Sequence, residues 1–272
     1  MRQPAASRSN IRGGRGPFAG FTAARRSPDD LMSSRFVRAH LWWPLLGMSL
    51  MIAVWTVGHR DLWLADRLYA WEGGRWALKH AFMTEDMIHI LGRNLSLAAW
   101  LGVLGCFVAA RYRDTWSHLR KPLGYLLLAT LVASLLVAWV KSWSNVDCPW
   151  DLLRYGGERP YIDLFSLRPV GLSRGACFPA GHASGGYAWF ALYFYFRAVR
   201  PAWRWYGFAM GLALGLTFGV GQQLRGAHFL SHDLWAATLC WVAVASVALA
   251  FWSRTDGADP MHRAQPLAMG VR

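Results

Sequence analysis

Long uninterrupted blocks of apolar residues constrain this chain more than any other feature. They cover roughly 41–58, 89–110, 123–144, 182–199, 205–224 and 233–252. A helical run of about 18 residues or more spans the hydrocarbon core of a bilayer and pairs all of its own backbone polar groups. The sequence therefore predicts an all-α polytopic membrane protein, with a bundle of six transmembrane helices within residues 41–254.

The two ends of the chain differ from this apolar part. Residues 1–40 are rich in Arg, Gly, Ser and Pro, a composition typical of a disordered segment, and residues 255–272 form a second polar tail. No signal-peptide cleavage pattern follows the first apolar block. Met1 and Met32 are both candidate start residues, because the apolar part begins soon after Met32.

Basic residues are distributed unevenly among the polar segments. Arginines concentrate in the N-terminal tail, in the loops after the second and fourth blocks, and in the C-terminal tail. Such segments usually stay in the cytoplasm, so we expect cytoplasmic termini and outer loops at 59–88, 145–181 and 225–232. In a bacterium this is an inner-membrane protein with a periplasmic site. The net charge of +14 lies in these segments and not on a basic helix stripe, which argues against a nucleic-acid partner.

The fifth block has a glycine at every fourth position: Gly207, Gly211, Gly215 and Gly219. This spacing lines one helix face with small residues and lets another helix approach closely. Two interpretations stay open, packing within the bundle and a homo-oligomer interface.

Ionisable residues gather at the outer ends of the last four blocks. Lys141 lies near the end of the third block, His182 begins the fourth, and Arg225, His228 and Asp233 lie between the fifth and the sixth. Singly, each has an ordinary explanation, such as a snorkelling lysine or a loop ion pair. Together, at one side of the membrane, they indicate a functional site.

The segment FPAGHASGG predicts an anion site at the start of the fourth block. Pro179 suits the first turn of a helix, and Ala180 and Gly181 leave backbone N–H groups open there. Lysine and arginine side chains nearby would complete a phosphate site. One histidine can then attack phosphorus while a second protonates the leaving oxygen.

These segments resemble the signature of the type 2 phosphatidic acid phosphatase superfamily, whose pattern is Lys-x6-Arg-Pro, then Pro-Ser-Gly-His, then Ser-Arg-x5-His-x3-Asp. The resemblance covers residues 141–233. It implies a membrane lipid phosphatase that needs no metal and no cofactor. His228 would be the nucleophile that forms a phosphohistidine, His182 the acid, and Lys141 a phosphate ligand.

Both arginines of that pattern are missing here. Cys148 stands at the first arginine position and Gln222 at the second. Arg225 follows Gln222 by three residues, which places both on one face of a helix. We expect Arg225 to bind the phosphate in place of the missing arginine.

Two further positions depart from the pattern. Ala180 replaces the serine, so that only backbone donors at Ala180 and Gly181 remain for the phosphate. The aspartate that should orient His228 is displaced by one residue to Asp233, and His232 takes its expected place. We expect Asp233 to orient His228, with His232 as the alternative.

Cys148 and Cys177 flank the polar loop between the third and fourth blocks. Both fall on the predicted outer side, where an oxidising compartment permits a disulfide. We expect them to be bonded across the site. Cys106 and Cys240 lie within apolar blocks and are expected to be buried as small hydrophobic residues.

The predicted activity is hydrolysis of a phosphate monoester or diphosphate on a lipid, of the isoprenyl diphosphate, phosphatidic acid, phosphatidylglycerophosphate or lipid A type. The partners are therefore the lipid phosphate and the surrounding membrane lipids. Two alternatives stay open. One is a lipid-to-lipid phosphotransferase that uses the same residues, and the other is a catalytically silent protein that binds anionic lipid.

Overall fold

The computed structural model describes residues 34–163 and 166–252. These ranges are built from helices, with an isolated bridge between Leu152 and Arg159 and no extended strand. The main helices are α1 (Ser34–Val57), α2 (Arg60–Trp71), α3 (Met83–Tyr112), α4 (Arg120–Ser144), α5 (Gly181–Tyr187, a 3₁₀ turn at Ala188–Phe190, then Ala191–Val199), α6 (Arg204–Leu224) and α7 (Leu230–Trp252).

Four of the described helices are long and apolar enough to cross a membrane, namely α1, α3, the segment Asp114–Asp151 that contains α4, and α7. They confirm the predicted helical membrane protein. The other two predicted spans are less apolar. α5 begins with glycines, His182 and Ser184, and glycines with Gln222 and Gln223 lower the apolar content of α6. Four of the six predicted spans are thus confirmed as candidate spans.

The core of the bundle lies between α4, α5, α6 and α7. α4 and α7 pack against each other through small buried residues such as Ala129, Ala133 and Ala236, and the Tyr125 hydroxyl donates to the Val244 carbonyl at 3.1 Å. Small side chains let the helices approach closely, which matters in lipid because association there depends on packing contacts. This packing fixes the positions of the ends of α4, α5, α6 and α7 relative to one another.

The glycine face of α6 is occupied within the chain. A Cβ at any of its four glycines would lie 2.7 Å or less from a neighbouring atom. The neighbours belong to α5 at Gly207, Gly211 and Gly215, and to Asp233 at Gly219. This geometry fits the first interpretation of the glycine spacing, since a homo-oligomer through this face would have to displace α5.

The beginning of α1 differs from the predicted tail. Residues 34–40 are helical rather than part of an irregular segment, because Phe36 and His40 pack their rings against Phe194 of α5. The Arg197 guanidinium also donates to His40 Nε2 at 2.7 Å. The remainder of the predicted tails, 1–33 and 255–272, lies outside the described residues.

α2 lies within the predicted outer loop 59–88 and is fixed to other segments at the same end of the bundle. Asp66 accepts two hydrogen bonds of 2.6 Å from Arg154, and the Arg154 guanidinium lowers the pKa of that carboxyl. Asp61 accepts from the Ser231 N–H at 3.0 Å and from Trp55 at 2.7 Å. We call this end, where α4 and α6 finish and α3, α5 and α7 begin, the site end.

Candidate active site

A cavity of about 860 Å³ opens at the site end between α3, α4, α5 and the turn from α6 to α7. Lys141, Gly181, His182 and His228 all contribute to its wall. Residues from three separate segments of the sequence are therefore brought to one place. They are the predicted phosphate lysine, the predicted acid and the predicted nucleophile.

Lys141 lies against the start of α5. Its Nζ and Cδ are each 3.5 Å from the position that a Cβ of Gly181 would occupy. The ammonium makes no hydrogen bond or ion pair with any described residue, and the side chain is half-buried. A cation without a carboxylate partner beside a helix start is suited to bind an anion.

His182 is oriented by the backbone of α3. Its Nε2 lies 3.2 Å from the Ile88 carbonyl, and because a carbonyl only accepts, Nε2 must carry the hydrogen. The ring also contacts that of His89 in a tilted arrangement, with centroids 4.3 Å apart, and lies near Phe218. Nδ1 is therefore the nitrogen of His182 that is left to transfer a proton.

A glycine turn carries His228 into the site. α6 ends with the Gly226 N–H donating to the Gln223 carbonyl and the Ala227 N–H donating to the Gln222 carbonyl, both at 2.9 Å. Gly226 has φ +69°, a left-handed conformation that favours glycine, and this pair of bonds is the usual way to close a helix C-terminus. The chain then turns back towards α7 and places the next side chains at the cavity.

His228 is only 7% exposed. Burial lowers the pKa of its imidazole well below the ordinary value, and the charges of Lys141, His232 and His182 act in the same direction. Its Nδ1 has no hydrogen-bond partner among the described residues. Burial therefore favours the neutral imidazole, which is the form that the predicted nucleophile requires.

Asp233 does not reach His228. One carboxylate oxygen accepts a hydrogen bond from the Gln223 amide, and the other has no partner within the described ranges. The residue nearer to the nucleophile is His232, whose ring lies edge-on to that of His228 with centroids 5.7 Å apart. The His232 carbonyl accepts from the Ala180 N–H at 3.1 Å, so this predicted phosphate donor is already occupied.

Arg225 lies beside the cavity but forms no part of its wall. Its guanidinium donates to Glu85 Oε1 at 3.1 Å and to the Lys79 carbonyl at 2.8 Å. The expected phosphate ligand is therefore bound to protein groups. Gln222 does line the cavity, and its amide lies 3.0 Å from His89 Nδ1.

The sequence-based prediction missed two cavity residues on α3, His89 and Arg93. One signal for them was present, because Arg93 is an arginine within the second apolar block. An ionisable residue in a membrane span usually faces a protein interior or a water-filled cavity.

The loop between α4 and α5 is closed by a disulfide between Cys148 and Cys177, whose Cα atoms are 5.2 Å apart. Both cysteines line the cavity. Beside the disulfide, the Cys177 N–H donates to the Val146 carbonyl at 2.9 Å, and the Gly175 N–H donates to Asn145 Oδ1 at 2.8 Å. We call these contacts the clasp, since they hold the end of α4 against the chain that enters α5.

The arginines of this loop are mostly bonded to other parts of the protein. Arg159 and Arg168 both pair with Asp147, at 2.5 and 2.6 Å. Arg154 pairs with Asp66, and Arg174 donates to backbone carbonyls at the end of α4. Arg159 and Arg174 also line the cavity and add positive charge to its rim.

The fold and the site together define a class, a helical membrane protein with a candidate phosphate site. Residues 122–256 match the family model of the PAP2 superfamily, which indicates phosphatase-type activity on phosphate esters. The chain belongs to this superfamily, as the three motifs predict. No curated protein and no solved structure matches the chain significantly. The family match begins after α3, so the helix that carries His89 and Arg93 precedes it.

Proposed function

We propose that the protein is a membrane lipid phosphatase that hydrolyses a phosphate monoester or diphosphate through a phosphohistidine on His228. The observation that carries this proposal is the shape of the cavity. Its wall runs along α4 from Lys141 to Leu131, ten residues or about 15 Å of helix. Leu97, Trp100 and Trp189 line the same end as Leu131. A lipid chain would occupy this apolar part, which a soluble phosphate ester would leave empty.

The proposed reaction has two steps. Lys141 and the amides at the start of α5 hold the phosphate while His228 attacks in line, so that a P–N bond forms and the P–O bond to the lipid breaks. His182, as an imidazolium with one proton on each ring nitrogen, gives the Nδ1 proton to the leaving oxygen. Water then attacks the phosphohistidine, His182 takes back a proton, and inorganic phosphate leaves with His228 regenerated.

The proposed orientation places the site end outside the membrane, with both termini in the cytoplasm and, in a bacterium, the site in the periplasm. The distribution of arginines supports it. Reporter fusions within loop 145–181 and at the C-terminus test this. An external C-terminus would contradict it.

The test of the activity is a phosphate-release assay with purified protein in detergent against a panel of lipid mono- and diphosphates. We expect release from at least one lipid and an acid-labile phosphate on the protein during turnover. Transfer of the labelled phosphate to a second lipid instead of water would identify a phosphotransferase. Lipid binding without phosphate release from any substrate would identify the silent alternative. The missing arginines and serine favour this alternative, and the presence of both histidines opposes it.

A further inference from the structure

The phosphate site has lost the charge of both family arginines. Position 148 carries a disulfide-bonded cysteine, and position 222 carries a neutral amide. Arg225 cannot compensate, since its guanidinium is hydrogen-bonded to Glu85 and to the Lys79 carbonyl. Lys141 is then the only cation that the family motifs contribute to the cavity wall among the described residues.

The opposite wall of the cavity supplies another cation. His89 and Arg93 lie four residues apart on α3 and therefore share one face of that helix, and both line the cavity. Arg93 is exposed and makes no hydrogen bond or ion pair with any other residue in 34–163 or 166–252. Its guanidinium lies within electrostatic reach of the His89 and His182 imidazoles. An arginine at this depth with no protein partner is expected to have a ligand or water as its partner.

A chain of hydrogen bonds fixes His89. Glu85 accepts from Arg225, which donates to Gln222 Oε1 at 3.5 Å, and this turns the Gln222 amide nitrogen towards His89 Nδ1. Nδ1 therefore accepts, and the hydrogen of the neutral ring must be on Nε2. That N–H has no partner among the described residues.

We propose that α3 replaces the missing arginines, with Arg93 binding the substrate phosphate and His89 donating its Nε2–H to the same group. Arg225 is a positioning residue, which acts on the phosphate only through Gln222 and His89. This inference rests on the proposed function, because it concerns the same phosphate. It assigns part of the site to a helix that lies outside the family match.

The test of Arg93 is isothermal titration of the full-length protein in detergent with orthovanadate, a water-soluble phosphate mimic. Arg93→Gln should weaken binding by about 10- to 100-fold, the range expected for a hydrogen bond to a charged group. Arg111→Gln, at the other end of the same helix, is the matched control and should bind as the wild type does. Adding Gln222→Arg to Arg93→Gln should recover part of the affinity, since position 222 also lines the cavity.

Three outcomes would contradict the assignment in distinguishable ways. If Arg93→Gln binds like the wild type, Arg93 only reaches towards lipid headgroups and this inference is wrong while the proposed function stands. Equal weakening by Arg111→Gln would show a general charge effect and would also overturn it. No binding by the folded wild-type protein would overturn both proposals.

The positioning role of Arg225 needs a separate measurement. Arg225→Gln and His89→Phe should each weaken orthovanadate binding, and the double variant should be no weaker than His89→Phe alone, because one acts through the other. Arg225→Lys should retain part of the affinity. Additive losses in variants with unchanged melting temperatures would show that Arg225 contacts the anion independently.

Discussion

The part of the chain that matches the PAP2 superfamily and the part that precedes it are built differently. In α4 and α7, half of the most apolar stretch is buried inside the protein, whereas in α1 and α3 the share is 11% and 6%. The lysine and both catalytic histidine candidates thus lie on the densely packed part. The opposite cavity wall is α3, a helix of which little is buried inside the protein.

This difference indicates a division of labour. Groups that must keep a fixed geometry during phosphoryl transfer are placed where packing locks their positions. The additional phosphate ligands proposed on α3 lie on an exposed helix, where a lipid substrate would enter from the bilayer. On this view the family motifs specify the reaction, and residues of α3 adjust the binding of the phosphate.

The largest loss of activity is expected from replacing the proposed nucleophile, His228, on the packed part of the chain. His228→Ala removes the only side chain proposed to form a bond to phosphorus, so turnover should fall to the background of the phosphate-release assay. His118→Ala, an exposed histidine far from the cavity, is the matched control. Near-normal activity of a folded His228→Ala protein would contradict the proposal that the packed part carries out the reaction, because that part would then hold no nucleophile.

His182→Ala should slow turnover by at least about 100-fold, the lower range for a lost general acid. In the first step, the loss should be much smaller with a phosphate ester whose leaving group needs no proton. The measurement is the pre-steady-state rate of phosphohistidine formation from a lipid phosphate and from p-nitrophenyl phosphate with each protein, because the later hydrolysis uses His182 with either substrate. Equal losses on the two substrates would argue that His182 serves binding and not proton transfer.

The disulfide of the clasp should raise the free energy of unfolding of the packed part of the chain. Replacing Cys148 and Cys177 by serine opens a loop with a sequence separation of 29, for which chain entropy predicts a loss of about 3–4 kcal/mol. Thermal unfolding in detergent should show a lower melting temperature, and reductant should lower the melting temperature of the wild type but not that of the double serine variant. Cys106→Ser is the control; it removes a free cysteine that is exposed and not buried as predicted, whereas Cys240 is buried as predicted. An unchanged melting temperature in the double serine variant would contradict a structural role for the bond.

The smallest effect is expected at the surface pair of Asp66 and Arg154, which joins the two parts of the chain. Both side chains are more than a third exposed, so Arg154→Gln should cost at most about 1 kcal/mol. Because the pKa of Asp66 is lowered in the folded protein, its ionised carboxylate contributes to stability. This contribution is present above the ordinary aspartate pKa of about 3.9 and is lost as the pH falls below it. Melting curves of both proteins at pH 7 and pH 3 would test this, and a difference that grows at low pH would refute it.

Much of the fold could be predicted from the sequence because span length and motif position depend on local composition. The starts and ends of α4, α5, α6 and α7 lie within three residues of the predicted blocks. Lys141, His182 and His228 occupy the ends of these helices, so an antiparallel bundle was enough to predict their meeting.

The roles of Arg225 and Asp233 could not be predicted in this way. Arg225 is bonded to Glu85, 140 residues earlier, and Asp233 to Gln223, and in each case the pairing depends on the rotation of a helix about its axis. Sequence spacing shows which residues share a face, but not which neighbour that face meets. The same limitation hid His89 and Arg93, whose helix precedes every motif.

The clasp also has a consequence for the entropy of binding. Hydrogen bonds between protein groups, with the disulfide, hold the end of α4 beside the start of α5, and the bond from Ala180 to His232 ties α5 to α7. The loss of conformational freedom that accompanies this arrangement therefore occurs when the chain folds and not when a substrate arrives. Under the proposed function, substrate affinity can then arise from the phosphate and the lipid chain themselves, because neither has to order the two candidate catalytic histidines.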